Sequence, residues 1–335
     1  MAVLAIDIGY GFTKAMVPGE PPWTCLSTVG PAVDVRYEAD IAADGQPTTV
    51  KVDGRWYFVG ERALRQSPNA RHTLAVTKLG GVEQKAQFYA AAGELLKTTA
   101  EKVVVITGLP VADYSSKNRE RLKAMLLGHH TIERPRKWTR TFEVTDVHVL
   151  PQGIGALYAL ALDRHGRVSR TNPELFQGVV GVVDIGWLTT NLILAEDLRF
   201  VEQSSNSITA GIAKVLRGVG KDLKRAYDLD WTLQLGRLDR AVRERAVEVY
   251  GERTDILHIV DPHLRDVAEA ITAAAQSLPG WGGGAGLRAV VLTGGGSRLL
   301  GDYVNQAYPQ ARMSGERPEL DNVTGYLRAG LRRLA

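Results

Sequence analysis

Asp7-Ile8-Gly9-Tyr10-Gly11-Phe12-Thr13-Lys14 returns in mid-chain as Asp184-Ile185-Gly186-Trp187-Leu188-Thr189-Thr190-Asn191. Each copy follows a β-branched run, Val3 to Ile8 and Val179 to Ile185, and each precedes another strand-like run. Each therefore reads as strand, glycine turn, strand. Glycines let backbone N–H groups point into one concavity, which suits a phosphate. Two such hairpins imply two related lobes, each with a phosphate-binding turn and a nucleotide held between them. The plainer reading is a pair of ordinary hairpins with polar turn residues. The matched second copy favours the phosphate reading.

Working outward, Gly9-Tyr10-Gly11 lacks the third glycine and the following helix of a dinucleotide fingerprint, and no Walker pattern occurs. Lys14 adds a positive charge to the first turn and Thr13 a hydroxyl. A bare carboxylate repels phosphate, so Asp7 and Asp184 make sense beside Mg²⁺, which takes few direct protein ligands and keeps several waters. Strand-end aspartates that merely cap turns are the alternative. Pro151-Gln152-Gly153 places an amide at a helix start directly after a strand. A glutamine so placed can orient a water for in-line attack on a γ-phosphate. A polar helix N-terminal residue is the competing reading. Thr293-Gly294-Gly295-Gly296-Ser297 is a glycine-rich strand-to-helix turn that admits close backbone approach.

The chain has 335 residues, enough for two ordinary domains, with 44% hydrophobic and 23% charged residues. No apolar run approaches the ~20 residues of a membrane span, and no secretory signal is evident, so the expected location is cytoplasmic. One cysteine, Cys25, excludes an internal disulfide and fits a reducing compartment. The net charge of +4 comes from scattered arginines, without zinc-finger spacing or an aromatic-basic RNA signature, so direct nucleic-acid binding is not expected.

The pattern predicts an α/β protein. Thr48 to Gly60 reads as a hairpin around Asp53-Gly54. Glu83 to Lys102 reads as a helix with Phe88, Ala91, Ala92, Leu95, Leu96 and Thr99 on one face. A strand at Val103 to Ile106, a helix at Ser116 to Leu127, a strand at Val144 to Leu150 and a helix at Gln152 to Asp163 follow. A second lobe begins near Arg170, with helices at about Thr209 to Asp228, Gln234 to Tyr250 and Asp261 to Ser277. Pro279 to Gly286 reads as a flexible connector. A strand at Leu287 to Leu292 and helices from Arg298 and from Asn322 to Leu334 complete the chain.

Taken together, the set resembles the superfamily of actin, sugar-kinase and heat-shock-chaperone ATPases. Its five blocks correspond here to Asp7 to Lys14, Leu150 to Leu160, Val182 to Asn191, Val291 to Leu300 and Asp321 to Leu331. Within it the chain is similar to the plasmid-segregation actins of the ParM (StbA) type, on Asp7 to Gly11, Tyr57-Phe58-Val59-Gly60-Glu61 and Leu150-Pro151-Gln152-Gly153. The resemblance implies an actin-like ATPase fold of two ribonuclease H-like lobes. Residues 1–165, with a C-terminal helix at 320–335 packing back, would form the first lobe and 166–319 the second.

It further implies that Asp7 and Asp184 hold Mg²⁺ through waters and that Gln152 positions the hydrolytic water. Gly9, Tyr10, Gly11, Phe12, Thr13 and Lys14 would line the nucleotide, with Gly186, Trp187, Thr189 and Thr190 opposite. Gly211, Lys214, Gly294, Gly295, Gly296 and Ser297 would complete the site for ATP or GTP. The chain departs from the pattern in its glycine-poor Ser207 to Ile212 and its bulky Trp187-Leu188. The implied activity is ATP hydrolysis coupled to filament assembly, with a DNA-binding adaptor linking filament to plasmid. Two alternatives stand. One is a small-molecule kinase using Asp113 or His148. The other is a non-polymerising cell-division or pilus-assembly scaffold, whose last helix, with Val323, Tyr326, Leu327, Leu331 and Leu334 beside arginines, would lie on a membrane.

Overall fold

The computed structural model describes residues 1–34, 48–72, 79–97, 101–134, 138–169, 171–231 and 235–335. Thr99, Arg170 and Gln234, named above at element edges, lie outside them. The chain forms two compact units, Met1–Thr171 with Leu320–Ala335, and Asn172–Glu319.

The first unit begins with β1 (Ala2–Ile8), β2 (Phe12–Met16), β3 (Trp23–Leu26) and β4 (Thr28–Pro31). Then come β5 (Thr48–Val52), β6 (Arg55–Val59), α1 (Glu61–Gln66), β7 (Arg71–His72), α2 (Val82–Leu95) and β8 (Glu101–Leu109). It continues through α3 (Ser116–Leu126), β9 (Gly128–Arg134), β10 (Trp138–Pro151) and α4 (Ile154–Ala161). Its main sheet runs β3-β2-β1-β8-β10-β9, with β1, β8 and β10 parallel and buried at the centre. Strands covered on both faces need continuous apolar runs, which Val103-Val104-Val105-Ile106 supplies. A smaller sheet, β5-β6-β4-β7, stands beside it.

The last helix, α9 (Asp321–Leu334), belongs to this unit. Val323, Tyr326 and Leu327 are buried against Val3, Ala5, Val104 and Ile106. Each such burial contributes about 1.5–3 kcal/mol, which a lone 14-residue helix needs to persist. The apolar stripe considered for a membrane is thus largely consumed within the unit. α9 crosses α4 at glycines: a Cβ on Gly325 would strike the backbone of Gly155, and one on Gly155 would stand 2.7 Å from Cα of Asn322.

The second unit has β11 (Val179–Ile185), β12 (Thr190–Glu196), β13 (Arg199–Phe200), β14 (Asn206–Ile208), α5 (Ile212–Tyr227) and α6 (Leu235–Glu244). It ends with β15 (Ala246–Val249), β16 (Glu252–Asp255), α7 (Leu257–Gln276), β17 (Ala289–Thr293), α8 (Ser297–Ala307) and β18 (Ala311–Met313). Its sheet runs β13-β12-β11-β17-β18, parallel at β11/β17 and β17/β18.

Four expectations are corrected. The helix expected to Lys102 stops at Leu95, where Arg140 Nη1 donates to the carbonyls of Gly93 and Leu96. The helix expected to Tyr250 stops at Glu244, and 246–255 form a β-hairpin. Its two-residue loop, Tyr250-Gly251, has φ of 52° and 84°, as a type I′ turn requires. The strand expected from Val144 begins at Trp138 and pairs with β9, which the pattern did not reveal. The expected flexible connector is a run of turns closed by Gly284 N–H to Trp281 C=O (2.9 Å) and Leu287 N–H to Gly284 C=O (2.9 Å).

Candidate functional site

Both glycine turns are the same structure. In the first, Ile8 pairs with Thr13 and Asp7 with Lys14; in the second, Ile185 pairs with Thr190 and Asp184 with Asn191. The Gly9 N–H donates to Phe12 C=O (3.2 Å) and the Gly186 N–H to Thr189 C=O (2.9 Å). A Cβ on either glycine would stand 2.9 Å from that closing carbonyl, so each turn admits only glycine there without a shift.

The first turn sits at the C-terminal ends of the parallel strands β1, β8 and β10, where α/β sheets place ligands. Asp7 is 3% exposed. Its Oδ1 accepts from Gln152 Nε2 (2.9 Å) and its Oδ2 lies 3.5 Å from Lys14 Nζ. Gln152 is itself fixed by its N–H, which donates to Leu109 C=O (2.7 Å). With its amide nitrogen committed to Asp7, Gln152 keeps Oε1 as an acceptor for a water. Gly153 has φ of 93°, and its N–H donates to Asn322 Oδ1 (2.9 Å), so α9 helps set the start of α4. Thr13 is fully buried and its hydroxyl bonds Ser27 (2.9 Å), so it holds the turn from behind. Phe12 is exposed. Burial, and then the charge of Asp113, push the Tyr10 phenol up to about 12.

In the second unit, three segments meet at the ends of β11 and β17. Asp184, 5% exposed, accepts from Asn191 Nδ2 (3.2 Å), and Asn191 Oδ1 accepts from the Ser207 hydroxyl (2.6 Å). The first N–H groups of α5 are tied to the second turn: Ile212 to Gly186 C=O (3.2 Å) and Ala213 to Trp187 C=O (2.8 Å). A Cβ on Gly211 would stand 2.6 Å from Trp187 C=O, which explains that glycine. Trp187 packs on the apolar core, and Thr190 is buried, donating to Ala210 C=O. The third glycine turn docks on the same strand end. Gly296 N–H donates to Ile185 C=O (2.9 Å), and Gly294, at φ of 83°, leaves room beside Asp184: a Cβ would stand 2.5 Å from Oδ1. The buried Ser297 hydroxyl donates to Gly294 C=O (2.7 Å). Gly295 is half-buried and Lys214 exposed.

Within the first unit, then, Asp7, Lys14, Gln152 and the Gly9–Gly11 turn come together. Within the second, Asp184, the Gly186 turn, Gly211 and Gly294 to Ser297 do. Sequence reading passed over Asn191 and Asn322 as site residues. The register of the repeat held the signal for Asn191, which occupies the place of Lys14. Asn322 acts only across a tertiary contact. Among the described residues, no group of three or more His, Cys, Asp or Glu could by itself cage a metal. One buried carboxylate per turn, with glycine clearing the space beside it in the second unit, fits a Mg²⁺ held mainly by phosphates and water. Of the kinase candidates, His148 Nε2 pairs with Asp146 (2.9 Å), and burial, then Arg333, lowers its pKa. Asp113 lines a cavity with Tyr10 and Gln152. No helix among the described residues is long and apolar enough to cross a membrane.

Residues 5–155 match the family described as actin like proteins N terminal domain. Residues 182–306 match that described as archaeal actin homologue MreB-like, C-terminal. Over its whole length the chain is 22% identical to the whole of an archaeal actin homolog of Thermoplasma volcanium. Among solved structures, it is similar to an archaeal actin homolog in complex with ADP (21% identity, 99% of this chain and 100% of that one, TM-score 0.78). It is also similar to a 15-stranded ParM filament from Clostridium botulinum (22% identity, 98% of each chain, TM-score 0.79). The fold is the actin-like α/β fold.

Proposed function

The chain belongs to the actin-like superfamily, and from that premise we propose that it binds and hydrolyses Mg²⁺–ATP and assembles into filaments whose dynamics follow its nucleotide state. The observation that carries this reading is the duplicated turn, with one register, one closing hydrogen bond and one buried aspartate in each copy. Backbone N–H groups of the two turns bind phosphate oxygens, and Lys14 adds a cation beside them. Asp7 and Asp184 would hold a Mg²⁺ ion through its waters. When bound, Mg²⁺ neutralises charge on the phosphate oxygens and lowers the barrier to transfer. Gln152, fixed through Asp7, holds the attacking water by Oε1. Gly211, Lys214, Gly294, Gly295, Gly296 and Ser297 take the nucleoside side, with GTP the alternative to ATP.

Self-association is supported by likeness to a ParM filament, and nucleotide binding by likeness to a chain solved with ADP. A subunit contact that joins two different surfaces and does not close makes a filament. The use we assign is plasmid DNA segregation in the cytoplasm, through a DNA-binding adaptor. Sedimentation and light scattering of the purified chain test the assembly. With ATP and Mg²⁺ the protein is expected in the pellet; without nucleotide, or with EDTA, it is expected in the supernatant. Equal sedimentation in all conditions contradicts nucleotide-driven assembly.

A further inference from the structure

We propose that Asp113 is the group that accepts the proton of the attacking water, reached from Gln152 through a cavity that the two residues share. The inference rests on the hydrolytic reading above. The cavity, about 60 Å³, lies inside the first unit and is lined by Tyr10, Glu83, Thr107, Asp113, Asn118 and Gln152 among others. Its lining mixes these polar groups with Ile8, Leu79, Leu109 and Leu122, and its volume admits a few waters held by the polar ones.

The need for an acceptor follows from the chemistry of Gln152. An amide accepts a hydrogen bond but does not take up a proton near neutral pH, so Gln152 orients the water and leaves its proton unplaced. Asp7 is committed to Gln152 and Lys14. Asp113 and Glu83 are the carboxylates on the cavity. Asp113 is the better placed, because it is half-exposed and can pass the proton on to solvent, whereas Glu83 is buried. Its backbone is rigidly held: its N–H donates to Pro110 C=O (2.9 Å), and its carbonyl accepts from Ser115 N–H (2.8 Å) and Asn118 Nδ2 (2.9 Å).

The groups facing it are Tyr10 from the first turn, Glu83 from α2 and Asn118 from α3, with Arg119 turned over the Tyr114 ring (4.9 Å). Tyr10 stays neutral throughout the working range, its phenol pushed to about 12. Burial holds the Asp113 carboxyl above the usual carboxylate range, nearer the pH at which a base transfers protons efficiently. In the step, the water oxygen bonds to the γ-phosphorus and the bond to the bridging oxygen breaks, its electron pair leaving with ADP. The water's proton passes along a cavity water to Asp113 and later to solvent.

Phosphate release by the full chain at saturating ATP–Mg²⁺, followed from pH 5 to 9, tests this alongside calorimetric ATP binding. An acceptor works deprotonated, so the wild-type rate is expected to rise with pH along an acid limb. Asp113→Asn, isosteric and in a half-exposed turn, is expected to bind ATP like wild type, turn over about 100-fold more slowly and lose the limb. Asp113→Glu, which keeps a carboxyl, is expected to retain it. An asparagine variant within twofold of wild type with the same limb overturns the assignment of Asp113 alone, as does a Glu variant without a limb. A wild-type chain that binds no ATP overturns the hydrolytic reading itself.

Discussion

Asp7→Asn is expected to cut ATP hydrolysis by about 10²–10³-fold while the chain stays folded. The substitution keeps the shape of the side chain and a polar partner for Gln152, and removes only the charge. That charge matters because the carboxylate is buried, so solvent screens it little: Asp7 is 3% exposed and Lys14 stands 3.5 Å from it. Without it, Lys14 faces a neutral amide, and the first turn offers no carboxylate to Mg²⁺. The loss should fall on turnover and on the Mg²⁺-dependence of nucleotide affinity together. Phosphate-release assays with and without EDTA, beside a melting curve, check this. Turnover within twofold of wild type contradicts the role assigned to Asp7.

Trp281→Ala is expected to destabilise the second unit by about 4 kcal/mol, lowering its melting temperature by about 10 °C or more. Trp281 is 1% exposed. Its indole N–H donates to Ser204 C=O (2.9 Å), and its ring meets Tyr308 edge-on with centroids 5.9 Å apart. The pocket is built around it: a Cβ on Gly181 of β11 would stand 2.9 Å from the indole. Truncation leaves a cavity and an unpaired carbonyl together. Trp281→Phe keeps most of the apolar area and loses the N–H, so an intermediate melting temperature is expected. Calorimetry that finds the alanine variant as stable as wild type contradicts this packing.

The same tryptophan shows where sequence reading failed. Pro279 to Gly286 looks like a linker by composition, but Gly280, Gly282 and Gly284 sit at positive φ in tight turns. Gly284, at φ of 84°, passes so near Tyr308 that a Cβ would stand 2.7 Å from its ring. Composition does not distinguish glycine used for freedom from glycine used for contact. The early end of α2 was also hidden, because Arg140, far away in sequence, takes its last carbonyls. The helix expected to Tyr250 ends at Glu244, because 246–255 pair as a hairpin about Tyr250-Gly251. What could be read was local and repeated. The Asp-Ile-Gly turns, each flanked by β-branched residues, forced two hairpins. Glycine at a fixed offset from aspartate in both copies forced one register. The bond from Gln152 to Asp7 spans most of the first unit, and only folding brings it about.

The most direct test of the central claim, that both aspartate turns serve one Mg²⁺-nucleotide, is calorimetric titration of ATP–Mg²⁺ into wild type, Asp7→Asn and Asp184→Asn. The expected result is one nucleotide per wild-type chain, with affinity falling in both variants and most of that loss vanishing when Mg²⁺ is removed. No uptake by wild type, two nucleotides per chain, or a single site indifferent to one of the two substitutions would contradict it.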